Sequence, residues 1–304
     1  MGQGRDAGAE NDEALVDAGT AARQGDSLRS EHAHADGASE RSVADVGRAA
    51  VWIALVPALW LLFGSRIGTF GTDSAHAYWN VWRVGPYALP PGSPDAFNYS
   101  PAFAQVVYPL TLLPWPVFLT IWSLLLAAAL VWLLWPLRPR WRWLVLAYVG
   151  PPALLIGNIE AFLAVAAVCG LRHPASWAFP LLTKVTPGLG PLWFVVRREW
   201  RQAAVAVVST AVVVLASWAL SPGLWTRWWD FVVDAPTPPT QDHYPPLEFR
   251  LVAAFGVLVW GAVKGRRGAI AVAMMLAMPL WSSGVLVVLA AIPRLRREDR
   301  SPHS

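Results

Sequence analysis

The sequence predicts an all-α integral membrane protein: a polytopic helical bundle with juxtamembrane helices on an outer loop and short broken helices or re-entrant hairpins. Three observations carry that expectation. Hydrophobic residues make up 55% of the 304 positions and charged residues only 14%, against about 25% charge in soluble domains. Nineteen tryptophans exceed the needs of a soluble core, and indoles favour the headgroup layer, where the ring is apolar and the N–H stays wet. Finally, the arginines and lysines gather at the ends of apolar runs. A pI near 9.6 therefore reads as membrane topology, with no nucleic-acid partner. The single cysteine, Cys169, excludes a disulfide framework within one chain.

Residues 1–46 hold half of all the acids and almost nothing large and apolar. Such a segment cannot bury enough surface to offset ordering, and it is expected to be a disordered cytoplasmic tail. It also sets the first apolar run too far in for a cleaved signal peptide. A polytopic domain is expected over 47–293 and a basic cytoplasmic tail over 294–304. The first span runs from Ala49 to Phe63, extended to Ile67. A mixed region leads to Ser100, and a short apolar piece, Pro101 to Leu113, follows. Trp115 to Trp135 is a clear span. Trp143–Ile156 and Ile159–Leu171 are separated by Gly157-Asn158, and Trp177–Val196 is interrupted by "TKVTPGLGP". Ala203–Leu220 and Leu247–Val263 are continuous, whereas Ala269–Ile292 is interrupted at "MPLWSSG".

Crossing a bilayer takes about 20 apolar residues, so the pieces beside Gly157, Pro187 and Pro279 are short. Each break is either a Gly/Pro kink in a longer helix or non-helical backbone at depth, which is tolerated only where protein or a watery cavity covers it. Four basic clusters set the orientation: Arg138/Arg140/Arg142, Arg197/Arg198/Arg201, Lys264/Arg266/Arg267 and Arg294/Arg296/Arg297/Arg300. The positive-inside rule puts them all in the cytoplasm with both chain ends. The loops 64–100 and 221–246, and the breaks "TKVTP" and "MPLWSSG", then face outward, and Pro101–Leu113 lies along or dips into the outer face.

Lys184 stands out because an ionisable side chain inside an apolar run is costly and marks a functional site by default. Thr183 and Thr186 flank it with hydroxyl donors, an arrangement suited to a phosphate oxygen; the alternative is snorkelling to the headgroups. Asp73 follows the first span and opens a helix-like run containing Trp79 and Trp82. Its carboxylate can cap that helix or serve as a shielded general base, with His76 on the same face. Tyr99 and Phe97 open "FNYSPAFAQVVYPLTLLPW" and suit either packing or stacking on a sugar. Glu160, at the start of an apolar run, can stabilise a helix N-terminus or act as a second carboxylate. Trp228 and Asp230 belong to an aromatic-acidic stretch that resembles a carbohydrate groove and equally an aromatic belt. Asp242 and His243 are too isolated for a metal site. No HExxH, P-loop, GxSxG or GxGxxG stands in a supporting context, so neither a metal nor another cofactor is expected.

The order of an acid beyond the first span, "FNYSP", "YPLTLLPW", a "GN" break and "KVTPGLGPLWFVVRREWR" resembles the integral-membrane mannosyltransferases of the GT-C superfamily, glycosyltransferase family 87. The resemblance covers Ala49 to Arg201 in detail and the remainder in layout. Ser100-Pro101 stands where the family has Pro-Pro, and Gly157-Asn158-Ile159-Glu160 replaces Gly-Gln-x-Asn. The resemblance implies a polyprenyl-phosphate-linked sugar donor, a glycan or glycolipid acceptor and an inverting transfer. Asp73 would be the general base and Lys184 the group that neutralises the departing phosphate. Apart from the resemblance, the residues themselves offer His76, Tyr99, Glu160, Trp228 and Asp230 as candidates for contact with sugar or acceptor. The rival expectation is a lipid-linked-sugar binding or transport protein without turnover.

Overall fold

The computed structural model describes residues 71, 73–234 and 245–300, save the side chains of 283 and 300. These residues all fall in one compact unit, Leu59–Ser304. The expected tail over 1–46, the first span, Asp242 and His243 lie outside the described residues. Among the described residues the secondary structure is helical, with no strand. The helices are α1 (Ser74–Val84), α2 (Pro101–Thr111), α3 (Trp115–Leu134), α4 (Pro139–Ile156), α5 (Glu160–Gly170) and α6 (Ala178–Thr183). They continue with α7 (Gly190–Val196), α8 (Trp200–Leu220), α9 (Pro222–Val233), α10 (Leu247–Val263), α11 (Gly268–Leu276) and α12 (Ile292–Arg300). Two 3₁₀ segments, Pro174–Trp177 and Ser283–Ala291, complete the order.

Two described helices, α3 and α8, are long and apolar enough to cross a bilayer, and α4 with α5 qualifies as a bent pair, turned by 117° at Gly157-Asn158. This is an all-α membrane protein. The helix α2 has 11 residues, about 16 Å of length, too short to cross a hydrocarbon core of about 30 Å. Both internal runs expected to be interrupted are divided: Lys184–Leu189 separates α6 from α7, and Ala277–Ser282 separates α11 from the second 3₁₀ segment.

The three breaks converge. Lys184 after α6 reaches Glu160 at the start of α5, while Ile156, ending α4, approaches Gly284 after the third break. Gly157 is required here because its φ is +69° and a Cβ would stand 2.6 Å from that of Ala75. Arg250 serves the C-terminal end of α11 and the break that follows it. Arg250, 5% exposed, donates from Nη1 to the Met278 carbonyl at 2.5 Å and to Leu276 at 3.3 Å. It also donates to Pro279 at 3.3 Å and Pro245 at 2.9 Å. A guanidinium with five donors in a fixed fork is well suited to satisfying the orphan carbonyls of a helix end.

The basic clusters gather at the other end of the bundle. Arg142 donates to the Trp135 carbonyl, and Arg294 to that of Trp132, both at the C-terminal end of α3. Arg197 donates to Ala262 near the end of α10, and Arg267 pairs with Glu298 of α12. The breaks sit near the first turn of α3, where Trp115 packs edge-on against His76. The 20 residues of α3 separate the two ends by about 30 Å.

Candidate functional site

The site is built where α1 crosses the break between α4 and α5. Trp122 of α3 donates its indole N–H to the Gly157 carbonyl at 2.7 Å. On the other side, Asn158 Oδ1 accepts from Tyr78 at 2.8 Å, Tyr99 at 3.0 Å and its neighbour's amide, Ile159 N–H, at 2.7 Å. The two tyrosine hydroxyls are 2.9 Å apart. Burial pushes both hydroxyls above the ordinary tyrosine range, so they remain protonated donors. Tyr99 is packed among Tyr78, Phe97 and Phe103 at ring distances of 5.3–5.5 Å. Tyr99 thus presents its hydroxyl to Asn158 while its ring belongs to the aromatic core.

Glu160 and Lys184 form the charged centre. The ammonium stands 2.7 Å from Oε1, with the side chains 15% and 5% exposed. The carboxylate sits in the first turn of α5, where the helix dipole favours negative charge. Sequence reasoning treated the lysine and the acid as separate; the fold makes them one buried ion pair. Of the flanking hydroxyls, Thr183 is engaged with the Phe179 carbonyl at 2.7 Å. Thr186 Oγ1 is buried with no hydrogen-bond partner among the described residues. Lys184 is also within electrostatic range of Tyr99 and Asp73, and Asp73 acts likewise on Tyr99.

Asp73 is exposed and directly precedes α1, but it makes no side-chain cap bond there. Its backbone explains the difference from the expected cap: φ −83°, ψ −86° is not the extended conformation that aims a cap side chain at the N2 and N3 amides. His76 turns to Asp95, with Nδ1 at 2.7 Å from Oδ1, and its ring packs against Trp79 and Trp115, which also touch each other. The tryptophans of α1 are tied to protein as well: Trp79 donates to Leu113 and Trp82 to Ala104.

Trp228 and Asp230 lie on α9, away from this cluster's polar contacts. Trp228 packs edge-on against Trp225, and Asp230 is exposed. The helix meets the site's surroundings through Phe231, 5.3 Å from the Tyr87 ring, and Tyr87 donates to the Tyr99 carbonyl at 2.8 Å. Burial pushes the Tyr87 hydroxyl upward, partly opposed by Arg227. Among the described residues no three His, Cys, Asp or Glu side chains come together as a metal site. Sequence reasoning overlooked Tyr78 and Asn158, which organise the centre. The signal available was the asparagine following a glycine at a break.

A bundle of membrane helices with a polar centre assembled from helix breaks defines a polytopic membrane protein with a built internal site. Residues 97–303 match glycosyltransferase family 87, and the chain belongs to that family. The matched segment contains Tyr99, Asn158, Glu160 and Lys184 and begins after Asp73. Comparison with curated proteins and with solved structures gives no match.

Proposed function

We propose that this membrane glycosyltransferase moves a hexose, specifically mannose, from a polyprenyl-phosphate donor to a cell-envelope glycan or glycolipid on the outer face. Asp73 takes the proton from the acceptor hydroxyl. The acceptor oxygen attacks the anomeric carbon opposite the phosphate, and the carbon–oxygen bond to phosphate breaks with inversion. The electron pair leaves on the polyprenyl phosphate, where Lys184, assisted by the Thr186 hydroxyl, neutralises it. Glu160 is a positioning residue: its charge offsets the cost of burying the ammonium and aims it. The observation that carries this reading is the electrostatic proximity of Asp73 to Lys184 in a member of glycosyltransferase family 87.

The orientation is part of the proposal. Four basic clusters share the end opposite the breaks, which supports a cytoplasmic basic end and an extracytoplasmic site. Reporter fusions in the loop Pro136–Trp141 test it: an outside signal there inverts the map. A second reading, a binder of lipid-linked sugar without turnover, draws on the 2.7 Å ion pair, which leaves Lys184 already neutralised. Transfer from polyprenyl-phosphate-mannose by the purified protein and by Asp73→Asn decides between them. The catalytic reading expects a rate loss on the order of 10²–10⁴ in the variant, and full activity there removes Asp73 from the mechanism. Donor binding without transfer in the wild-type protein supports the second reading.

A further inference from the structure

We propose that the basic end carries a site for the phosphate of an anionic phospholipid, separate from the sugar-transfer centre. A cavity of about 180 Å³ is lined by Arg172, Arg294, Arg297 and Glu298. Arg172 follows the end of α5, whereas the other three stand on α12 at spacings of three and four residues, which puts them on one helix face. Three guanidinium groups thus confront one carboxylate. That carboxylate is engaged from two sides, by Arg172 at 3.2 Å and Arg267 at 3.1 Å. Arg294 is fixed: its Nε donates to the Trp132 carbonyl at 2.5 Å, and its guanidinium lies 3.8 Å from the centre of that indole ring. Burial and the like charge of Arg297 both disfavour the charged form of Arg294. An anion in the cavity relieves this crowding, and guanidinium groups suit phosphate oxygens through paired N–H donors.

The surroundings select a lipid over free phosphate. Arg294 rests on the last turns of α3, a helix long and apolar enough to cross the membrane. That helix exposes Leu124, Leu125, Val131 and Trp132, and Trp135 just beyond its end is exposed too. A phosphate held by the arginines therefore has an apolar wall beside it for its acyl chains. Basic pockets between membrane helices bind acidic headgroups on this principle.

The test is phosphatidylglycerol binding to the full chain in detergent, followed by native mass spectrometry, with phosphatidylcholine and inorganic phosphate as comparison arms. Arg172→Gln with Arg297→Gln is expected to weaken phosphatidylglycerol binding on the order of thirtyfold. Arg138→Gln with Arg140→Gln removes two exposed arginines from the same end but outside the cavity, and is expected to leave binding within about twofold if the site is local. Should the double variant fail to fold, Arg172→Gln alone, at a side chain 64% exposed, is expected to lose about fivefold. Equal losses in the cavity and control variants, or phosphatidylcholine binding as tightly, overturn the proposal. Displacement of the lipid by millimolar inorganic phosphate overturns its assignment to a lipid.

Discussion

Removing one partner of the Glu160–Lys184 pair tests both the fold and the proposed chemistry. In Glu160→Leu the ammonium stays in a site where its side chain is 15% exposed, with its carboxylate gone. In Lys184→Leu the carboxylate is left behind at 5% exposure. Breaking a buried pair from one side costs about 3–5 kcal/mol, whereas replacing both partners with apolar groups is often neutral. Each single variant is therefore expected to lower the midpoint of thermal unfolding by roughly 10 °C, followed by fluorescence-detected size exclusion in detergent. The double variant Glu160→Leu/Lys184→Leu is expected to recover most of that loss, giving a coupling energy of about 5 kcal/mol or more in the cycle. Transfer activity separates structure from chemistry. If Lys184 neutralises the leaving phosphate, the double variant regains stability but not turnover. Single variants that lose less than about 1 kcal/mol, the range of exposed ion pairs, would refute the buried pair. Losses that simply add would refute the coupling.

Three further outcomes follow from the packing. Gly190→Ala places a Cβ 2.0 Å from the ring of Trp177, which is fully buried, so a loss of about 1–3 kcal/mol is expected; unchanged thermal stability would mean that the indole is not seated there. Arg250→Met leaves the carbonyls of Leu276, Met278 and Pro279 without this donor, and about 3 kcal/mol of stability is expected to go. Limited proteolysis that leaves the break Ala277–Ser282 as protected as in the wild type would contradict the capping role. Burial raises the Tyr78 and Tyr99 hydroxyls in the folded state above the ordinary value of about 10. Their contribution to stability is thus complete below pH of about 10 and declines above it, because only the unfolded chain then releases those protons. Tyr78→Phe with Tyr99→Phe should flatten the decline in a pH series of unfolding midpoints, and an equally steep fall would locate it elsewhere.

Much of the helical order was legible because bilayer length and Gly/Pro punctuation are local signals. The runs at Trp115, Leu247 and Ala203 lie within α3, α10 and α8, and the interruptions at Gly157, Lys184 and Ala277 are real ends of helices. What sequence spacing does not encode is which break meets which. Glu160 and Lys184 are 24 residues apart, and Tyr78 and Asn158 are 80 apart; neither pairing has a periodic signature. Asp73 shows a different limit. A carboxylate before a helix suggests a cap, yet the chain enters α1 with a ψ of −86° that aims the side chain elsewhere. In the sequence Arg250 is only a cation near the start of an apolar run. Its role depends on the carbonyls of another helix arriving 26–29 residues later.

The division of labour between the two ends of α3 has a physical origin. At the basic end the guanidinium groups of Arg142 and Arg294 lie over the indole rings of Trp135 and Trp132. At the opposite end, unwound segments leave backbone and charged groups below the surface, and these persist only when other side chains satisfy them. Trp122, Arg250 and the Tyr78–Tyr99–Asn158 cluster supply that satisfaction with side-chain donors and acceptors. The result holds an ammonium, a carboxylate and a hydroxyl together inside the helical bundle. The proposed transfer from a lipid-linked phosphate would use such a site: a fixed cation for the leaving phosphate within electrostatic reach of an acid.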